Sequence, residues 1–353
     1  MTFKNIFLFF ACFLLGLTFT FSAHAGTESQ DTSPKDGVPR YVETRLIPEF
    51  DSAVAGQTLT IAIDQTMVDG WHTYWKNPGD SGEATSIEWT LPKGWKAEGI
   101  SFPTPIRLPS GPLMNYGYGH HVTLLTALDV PDHITGDSAT IDATITWLVC
   151  SDICVPETTH AQLVIPFAKN GQEPKATNAT LFDAARKALP ENVAWQGLIE
   201  EEDQNLILNF KTDSDTVAAL AKAKDMYFYA ADWGIILYAA PQTISVKDDT
   251  LTLRLQRDSR ALSDLTSLKG VFQYTTENNE QKSVSIEVPI MGKSPAVSGA
   301  DATLAPSSEV PTTFIQALFL AFLGGIILNL MPCVFPVLSM KALSLISASL
   351  SCP

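Results

Sequence analysis

The stretch from Thr140 to Phe167 constrains the chain more than any other. Thr140-Ile141-Asp142-Ala143-Thr144-Ile145-Thr146-Trp147 alternates polar and apolar side chains, the period of a half-buried strand. Thr158 to Phe167 reads as a second strand, and Pro156 just ahead of it resists helix. Between them, in Trp147-Leu148-Val149-Cys150-Ser151-Asp152-Ile153-Cys154-Val155-Pro156-Glu157, stand two of the five cysteines, four positions apart. The pair is expected where one strand leaves a sheet and another re-enters it. Four residues give enough slack to reach the roughly 4.4–6.8 Å between Cα atoms that a disulfide needs. A bridge closing so small a loop removes little entropy from the unfolded chain. The pair therefore suits a bond that is made and broken, with a plain structural disulfide as the alternative.

The flanks say where this chemistry would take place. Residues 1–25 have the pattern of a secretory signal peptide: Lys4, the apolar run Ile6 to Phe21, then Ala23-His24-Ala25 as a cleavage site. Cys12 would leave with it. Outside the cytoplasm a cysteine pair can be oxidised and stay so. The formal net charge of −15 offers no basic face for phosphates, which argues against nucleic acid as a partner.

From Tyr41 to Phe167 the pattern is β throughout. Leu59-Thr60-Ile61-Ala62-Ile63 alternates, and turn residues cluster at Asn77-Pro78-Gly79, Pro92-Lys93-Gly94 and Pro109-Ser110-Gly111-Pro112. Short strands at this spacing predict an immunoglobulin-like sandwich over residues 38–168. Within it, Met114-Asn115-Tyr116-Gly117-Tyr118-Gly119-His120-His121 alternates glycines with aromatics, as at a strand edge that another backbone approaches closely. Three readings stand side by side: an aromatic lid over the cysteines, a copper site joining Met114, His120 and His121 to the thiolates, and a surface loop.

Residues 176–190 read as a linker helix ended by Pro190. A second β-rich unit is expected over 194–291, with Asn278-Asn279-Glu280 as a hairpin turn. It contains neither cysteine nor histidine, so a structural or docking role is its default. Residues 292–311 are a Gly/Ser/Ala/Pro linker. Phe314 to Met340 is apolar and free of charge, long enough for a membrane span, assigned to residues 312–340. Two prolines, Pro332 and Pro336, bracket Cys333 inside it. A simple anchor has no need of such a break. The fold class expected overall is mainly β: two immunoglobulin-like sandwiches in tandem, then a transmembrane helix and a short tail over 341–353.

Gly324-Gly325-Ile326-Ile327-Leu328-Asn329-Leu330-Met331-Pro332-Cys333-Val334-Phe335-Pro336-Val337-Leu338-Ser339 resembles the first membrane segment of the DsbD family of thiol:disulfide interchange proteins. The exported part, with Cys150-Ser151-Asp152-Ile153-Cys154-Val155-Pro156-Glu157, resembles that family's amino-terminal redox domain, closest to the ScsB branch associated with copper tolerance. The resemblance implies an electron relay. A membrane cysteine pair, Cys333 matching its first member, takes reducing equivalents from cytoplasmic thioredoxin. Cys150 and Cys154 pass them to periplasmic thioredoxin-like or disulfide isomerase proteins, with Cys154 attacking and Cys150 resolving. Cys150, ending a strand, is expected to pack against the apolar core, where burial slows a thiol's attack.

No cofactor and no metal is expected for such exchange. The implied location is a bacterial inner membrane with the soluble part in the periplasm. Main-branch members space the exported cysteines more widely. Their membrane domain has further spans, a second cysteine that Cys352 does not match, and a C-terminal thioredoxin-like domain. The chain is thus expected to be a truncated form or a fragment. A periplasmic copper-binding protein and a membrane-tethered binding module with a structural disulfide are the alternatives.

Overall fold

The computed structural model describes residues 30–31, 39–169, 172–193 and 195–290. The expected signal peptide, the 292–311 linker, the 312–340 span with Cys333, and the tail lie outside the described residues. Among the described residues no helix is long and apolar enough to cross a membrane.

The described chain is mainly β. Its first sandwich is built from β1 (Gln30–Asp31), β2 (Val42–Pro48), β3 (Thr58–Met67), β4 (His72–Gly79), β5 (Ser86–Thr90), β6 (Lys96–Ala97), β7 (Ile106–Ser110), β8 (Leu113–Gly119), β9 (His121–Asp129), β10 (Ser138–Cys150) and β11 (Cys154–Pro166). One sheet runs β1-β11-β10-β4-β8-β7, with β5 also on β10; the other runs β2-β3-β9-β6. Alternation places the core. On β10, Ala139, Ile141, Ala143, Ile145, Trp147 and Val149 are buried in turn while the residues between them stay partly or wholly exposed. They meet Leu59, Ile61 and Ile63 of β3 and Leu124 and Leu128 of β9 in one apolar cluster.

A helix, α1 (Ala179–Ala188), follows. It is no free connector. Phe182 and Ala185 are buried against Ile47, Ala62 and Leu125, on the outer face of the β2-β3-β9 sheet, and Arg186 reaches Glu49 at 2.6 Å.

The second sandwich comprises β12 (Glu191–Asn192), β13 (Gln196–Glu202), β14 (Asn205–Lys211), α2 (Ser214–Ala221), β15 (Lys224–Ala230), β16 (Thr243–Lys247), β17 (Thr250–Gln256) and, after a 3-10 turn at Leu262–Asp264, β18 (Ser267–Thr275) and β19 (Gln281–Pro289). The sequence reading had not found α2, a short helix capped by Asp213, whose carboxylate accepts from the Thr216 N–H at 2.8 Å. The sheets run β12-β19-β18-β15 and β13-β14-β17-β16.

This order repeats the first sandwich. There, β11-β10-β4 pair side by side and β2-β3-β9 form the other sheet; here β19-β18-β15 and β13-β14-β17 do the same, in the same chain order. The register carries the match down to single positions. Cys150 pairs with Cys154 and with His72 of β4; Thr275 pairs with Gln281 and with Lys224 of β15. The second sandwich is a copy of the first in strand order, with no sulfur at the hairpin tip.

The two sandwiches belong to one compact unit. Asn77, buried at the end of β4, directs its amide nitrogen at the carbonyls of Ala230 (2.7 Å) and Asp232 (3.2 Å) and at the Tyr238 hydroxyl (3.2 Å). Beside it the Tyr116 and Tyr227 hydroxyls meet at 2.9 Å, Trp75 packs edge-on to Tyr229, and the Arg107 guanidinium lies 4.7 Å over the Tyr227 ring.

Asn77→Ala strips the donor from the buried Ala230 carbonyl and from the partly buried Asp232 carbonyl. A buried group left unsatisfied costs about 1–3 kcal/mol. We expect a loss of that size in urea unfolding followed by tryptophan fluorescence. An unchanged midpoint would mean that the interface contributes nothing to stability.

Candidate functional site

β10 and β11 form one long hairpin in continuous register: Trp147 lies opposite Glu157, Leu148 opposite Pro156, Val149 opposite Val155 and Cys150 opposite Cys154. This corrects the sequence reading, in which the second strand began at Thr158 and the cysteines bridged two separate strand ends. The strand starts at Cys154 and runs through Pro156, which lies close to its start, where proline is tolerated. Only Ser151, Asp152 and Ile153 form the loop, closed by the Ser151 N–H donating to the Ile153 carbonyl at 2.9 Å.

Cys150 and Cys154 are disulfide-bonded, with Cα atoms 4.1 Å apart. The two sulfurs live in different surroundings. Cys150 is 2% exposed, whereas Cys154 and the whole loop before it are exposed, Ile153 to 62%. Cys150 is buried as expected, but on the other side of the sheet. Trp147 and Val149 face the core, so the next residue, Cys150, points to the outer face. Its cover there comes from β4, where His72 pairs with it.

Directly opposite residues share a face, so His72, and Tyr74 two positions on, lie on the cysteines' side. The Tyr74 hydroxyl is 4.0 Å from Cys154 Sγ, and His72 Nε2 is 3.3 Å from that hydroxyl. Burial lowers the pKa of His72 and raises that of Tyr74. The imidazole is therefore neutral and the phenol protonated at neutral pH. Gly82, at φ +104°, lets the following segment close on the Tyr74 ring; a Cβ there would lie 2.3 Å from a ring carbon.

Under the cysteines, on the core face, the Glu157 carboxylate is 9% exposed. It accepts from the Tyr41 N–H (2.7 Å), the Val42 N–H (3.2 Å) and the Trp147 indole N–H (3.2 Å). It thereby ties the start of β2 to both arms of the hairpin, one turn of register below the disulfide.

Met114, His120 and His121 do not join the cysteines. His120 is exposed at the β8–β9 turn, 3.4 Å from Asp69, and His121 is bonded to Asp64 at 2.7 Å. Among the described residues no cluster of three or more His, Cys, Asp or Glu side chains could hold a metal ion. The lid and surface-loop readings fail together, because Leu113–Gly119 is the strand β8 with Tyr116 and Tyr118 buried. The close backbone approach expected of its glycines is present: a Cβ on Gly117 would meet the Thr73 carbonyl oxygen at 2.0 Å. The histidine of the site is His72. Its signal was the His72-x-Tyr74 alternation, which puts two polar aromatics on one face of a strand, but nothing in the sequence paired that strand with Cys150. Cys333 lies outside the described residues.

Residues 43–166 match the family model described as thiol:disulfide interchange protein DsbD, N-terminal. The N-terminal periplasmic domain of ScsB from Proteus mirabilis shares the fold, with a TM-score of 0.52 over 75% of this chain and 99% of that one at 17% identity. The sporulation control protein Spo0M from Bacillus subtilis aligns over 70% of this chain and 90% of its own at 9% identity, with a TM-score of only 0.21. A search of curated proteins found no match.

Glu157→Leu should cost roughly 2–4 kcal/mol, because it leaves two buried donors, the Val42 N–H and the Trp147 indole, and the partly buried Tyr41 N–H without their acceptor. It should also accelerate hydrogen exchange at the Tyr41 and Val42 amides. Protection of those amides equal to that of the parent would show that the carboxylate does not hold β2.

Proposed function

We infer that this chain, a DsbD-family protein near the ScsB branch, works by thiol–disulfide exchange at Cys150 and Cys154 and acts as a protein-disulfide reductase on exported partners. The observation that carries the inference is the asymmetry of the pair: an exposed sulfur at a hairpin tip bonded to a buried one. Exchange needs one sulfur that a partner can reach and a second that only its neighbour can reach.

The internal copy supports exchange over a structural role. The β18–β19 hairpin has the same position in its sandwich and closes through Thr276, whose N–H donates to the Glu280 carbonyl at 2.8 Å, without sulfur. The fold does not need a disulfide to close this hairpin.

The steps balance as follows. An incoming dithiol attacks the Cys150–Cys154 bond and becomes a disulfide itself, leaving both cysteines reduced with two electrons and two protons gained. The Cys154 thiolate then attacks a partner disulfide, bonding to one sulfur while the other leaves as thiolate. Cys150, deprotonated, attacks Cys154 Sγ, re-forms the original bond and releases the reduced partner. By the family resemblance, the incoming dithiol is the membrane pair that includes Cys333, replenished by cytoplasmic thioredoxin, and the partners are periplasmic thioredoxin-like or disulfide isomerase proteins. The link to copper tolerance rests on the ScsB resemblance alone; it would act through the redox state of a partner, since the cysteines stand apart from Met114, His120 and His121.

Replacing Cys150 by Ala should trap a long-lived mixed disulfide through Cys154, because the resolving thiol is gone. Replacing Cys154 by Ala should trap none. Mass spectrometry of adducts formed with a thioredoxin-like partner decides it, and adducts mainly on Cys150 in the Cys154→Ala protein would reverse the assignment.

A further inference from the structure

An attacking thiolate needs something to stabilise its charge. Hydrogen bonds to the charged form do so, as do nearby cations or a helix N-terminus. Cys154 begins a strand and has no helix behind it. Beside it on the outer face of the hairpin stand Leu148 on β10 and Pro156 on β11, neither of which carries a side-chain donor. On β4 the same face carries His72 and Tyr74, in line: imidazole to hydroxyl 3.3 Å, hydroxyl to Cys154 sulfur 4.0 Å.

We propose that the Tyr74 hydroxyl, oriented by His72, donates the hydrogen bond that stabilises Cys154 as a thiolate. The two are positioning residues for the exchange step, so this inference deepens the reading above and rests on it. A neutral imidazole has one N–H and one bare nitrogen. When Cys154 is in the disulfide, the phenol O–H can turn to a bare Nε2. When Cys154 is a thiolate, the tautomer with Nε2–H donates to the phenol oxygen and frees the O–H for sulfur. No proton leaves the pair in either state. The contact to sulfur is long in the disulfide and shortens on the charged form, since charge-assisted hydrogen bonds are the shorter and stronger ones.

Two further observations agree. Gly82 closes against the Tyr74 ring, which fixes the hydroxyl where it can reach the sulfur. And in the sulfur-free copy, where Thr275 and Gln281 stand in place of Cys150 and Cys154, the position of His72 is held by Lys224. The imidazole accompanies the cysteines and is missing where they are missing.

The test uses the full-length chain carrying Cys150→Ala, so that Cys154 is alkylated without re-forming the bridge. Iodoacetamide modification of Cys154 is followed by mass spectrometry across pH. Tyr74→Phe removes only the hydroxyl. It leaves in place the other ionisable groups on the surrounding elements: Asp152 in the loop, Glu157 on the opposite face, Asp80 and Glu83 after β4, and the Asp69–His120 pair at the next turn. We expect it to move the alkylation midpoint up by about one pH unit, and so to slow the reaction at pH 7 about tenfold.

His72→Leu should give a smaller shift in the same direction. Combining it with Tyr74→Phe should add nothing to Tyr74→Phe alone, because the imidazole acts through the hydroxyl. An unchanged profile in Tyr74→Phe overturns the proposal, and additive shifts overturn the role of His72. The exchange reading fails separately: a shifted profile with no partner trapped through Cys154 leaves the hydrogen bond standing and removes its use in exchange.

Discussion

The register of the β10–β11 hairpin is the constraint from which the site follows. A strand's side chains alternate, so a slip of one residue on either arm would send one cysteine to the core and leave the other outside. Two things hold the register. The buried row Ile141, Ile145, Trp147 and Val149 faces the core on one arm, with Leu163 and Ile165 on the other. Glu157 then closes the tip end by accepting from the Trp147 indole directly across the hairpin and from two amides at the start of β2. Hydrogen bonds to a charged group contribute about 1.5–3 kcal/mol each. A carboxylate buried with three donors is held in place at the spot where a hairpin would otherwise fray.

From that register the difference between the two cysteines follows without further devices. The arm ending at Cys150 is interior to its sheet, flanked by β11 and by β4, and so its last residue is covered. The arm beginning at Cys154 has the loop on one side, and among the described residues no strand beyond it pairs with it at that height, so its first residue is open. One sulfur accessible and one sheltered is a consequence of where the two strands lie in the sheet. β4 then serves two ends of the molecule. His72 and Tyr74 face the sulfurs at its start, and Asn77 anchors the second sandwich at its end.

Much of this was legible in the sequence, and the part that was not has a physical explanation. The alternation of Thr140 to Trp147 identified β10 because its buried face is continuous. The strand expected from Thr158 begins four residues earlier, at Cys154: Pro156 resists helix there, but near a strand's start its missing N–H costs little, so it does not delay the strand. Cys150 was expected against the apolar core, although parity with Trp147 puts it on the opposite face; its cover there comes from a strand more than seventy positions away, and no local pattern encodes that pairing. His120 and His121 drew attention as a pair, yet the first sits in the β8–β9 turn at φ +63° beside Asp69 and the second begins β9 beside Asp64, so the two do not share a site. The repetition of strand order in the second sandwich was invisible, since its residues at the equivalent positions, Lys224, Thr275 and Gln281, share no chemistry with His72, Cys150 and Cys154.

The central claim is that the Cys150–Cys154 bond exists to be exchanged. Its reduction potential, measured by equilibration of the protein against glutathione buffers or a reference dithiol, tests this most directly. Structural disulfides of exported proteins lie below about −300 mV, whereas labile and catalytic ones lie higher. A value above that mark, with rapid approach to equilibrium in the presence of a thioredoxin-like partner, is the predicted result. A value well below it, or a bond that such a partner leaves intact, would contradict the account.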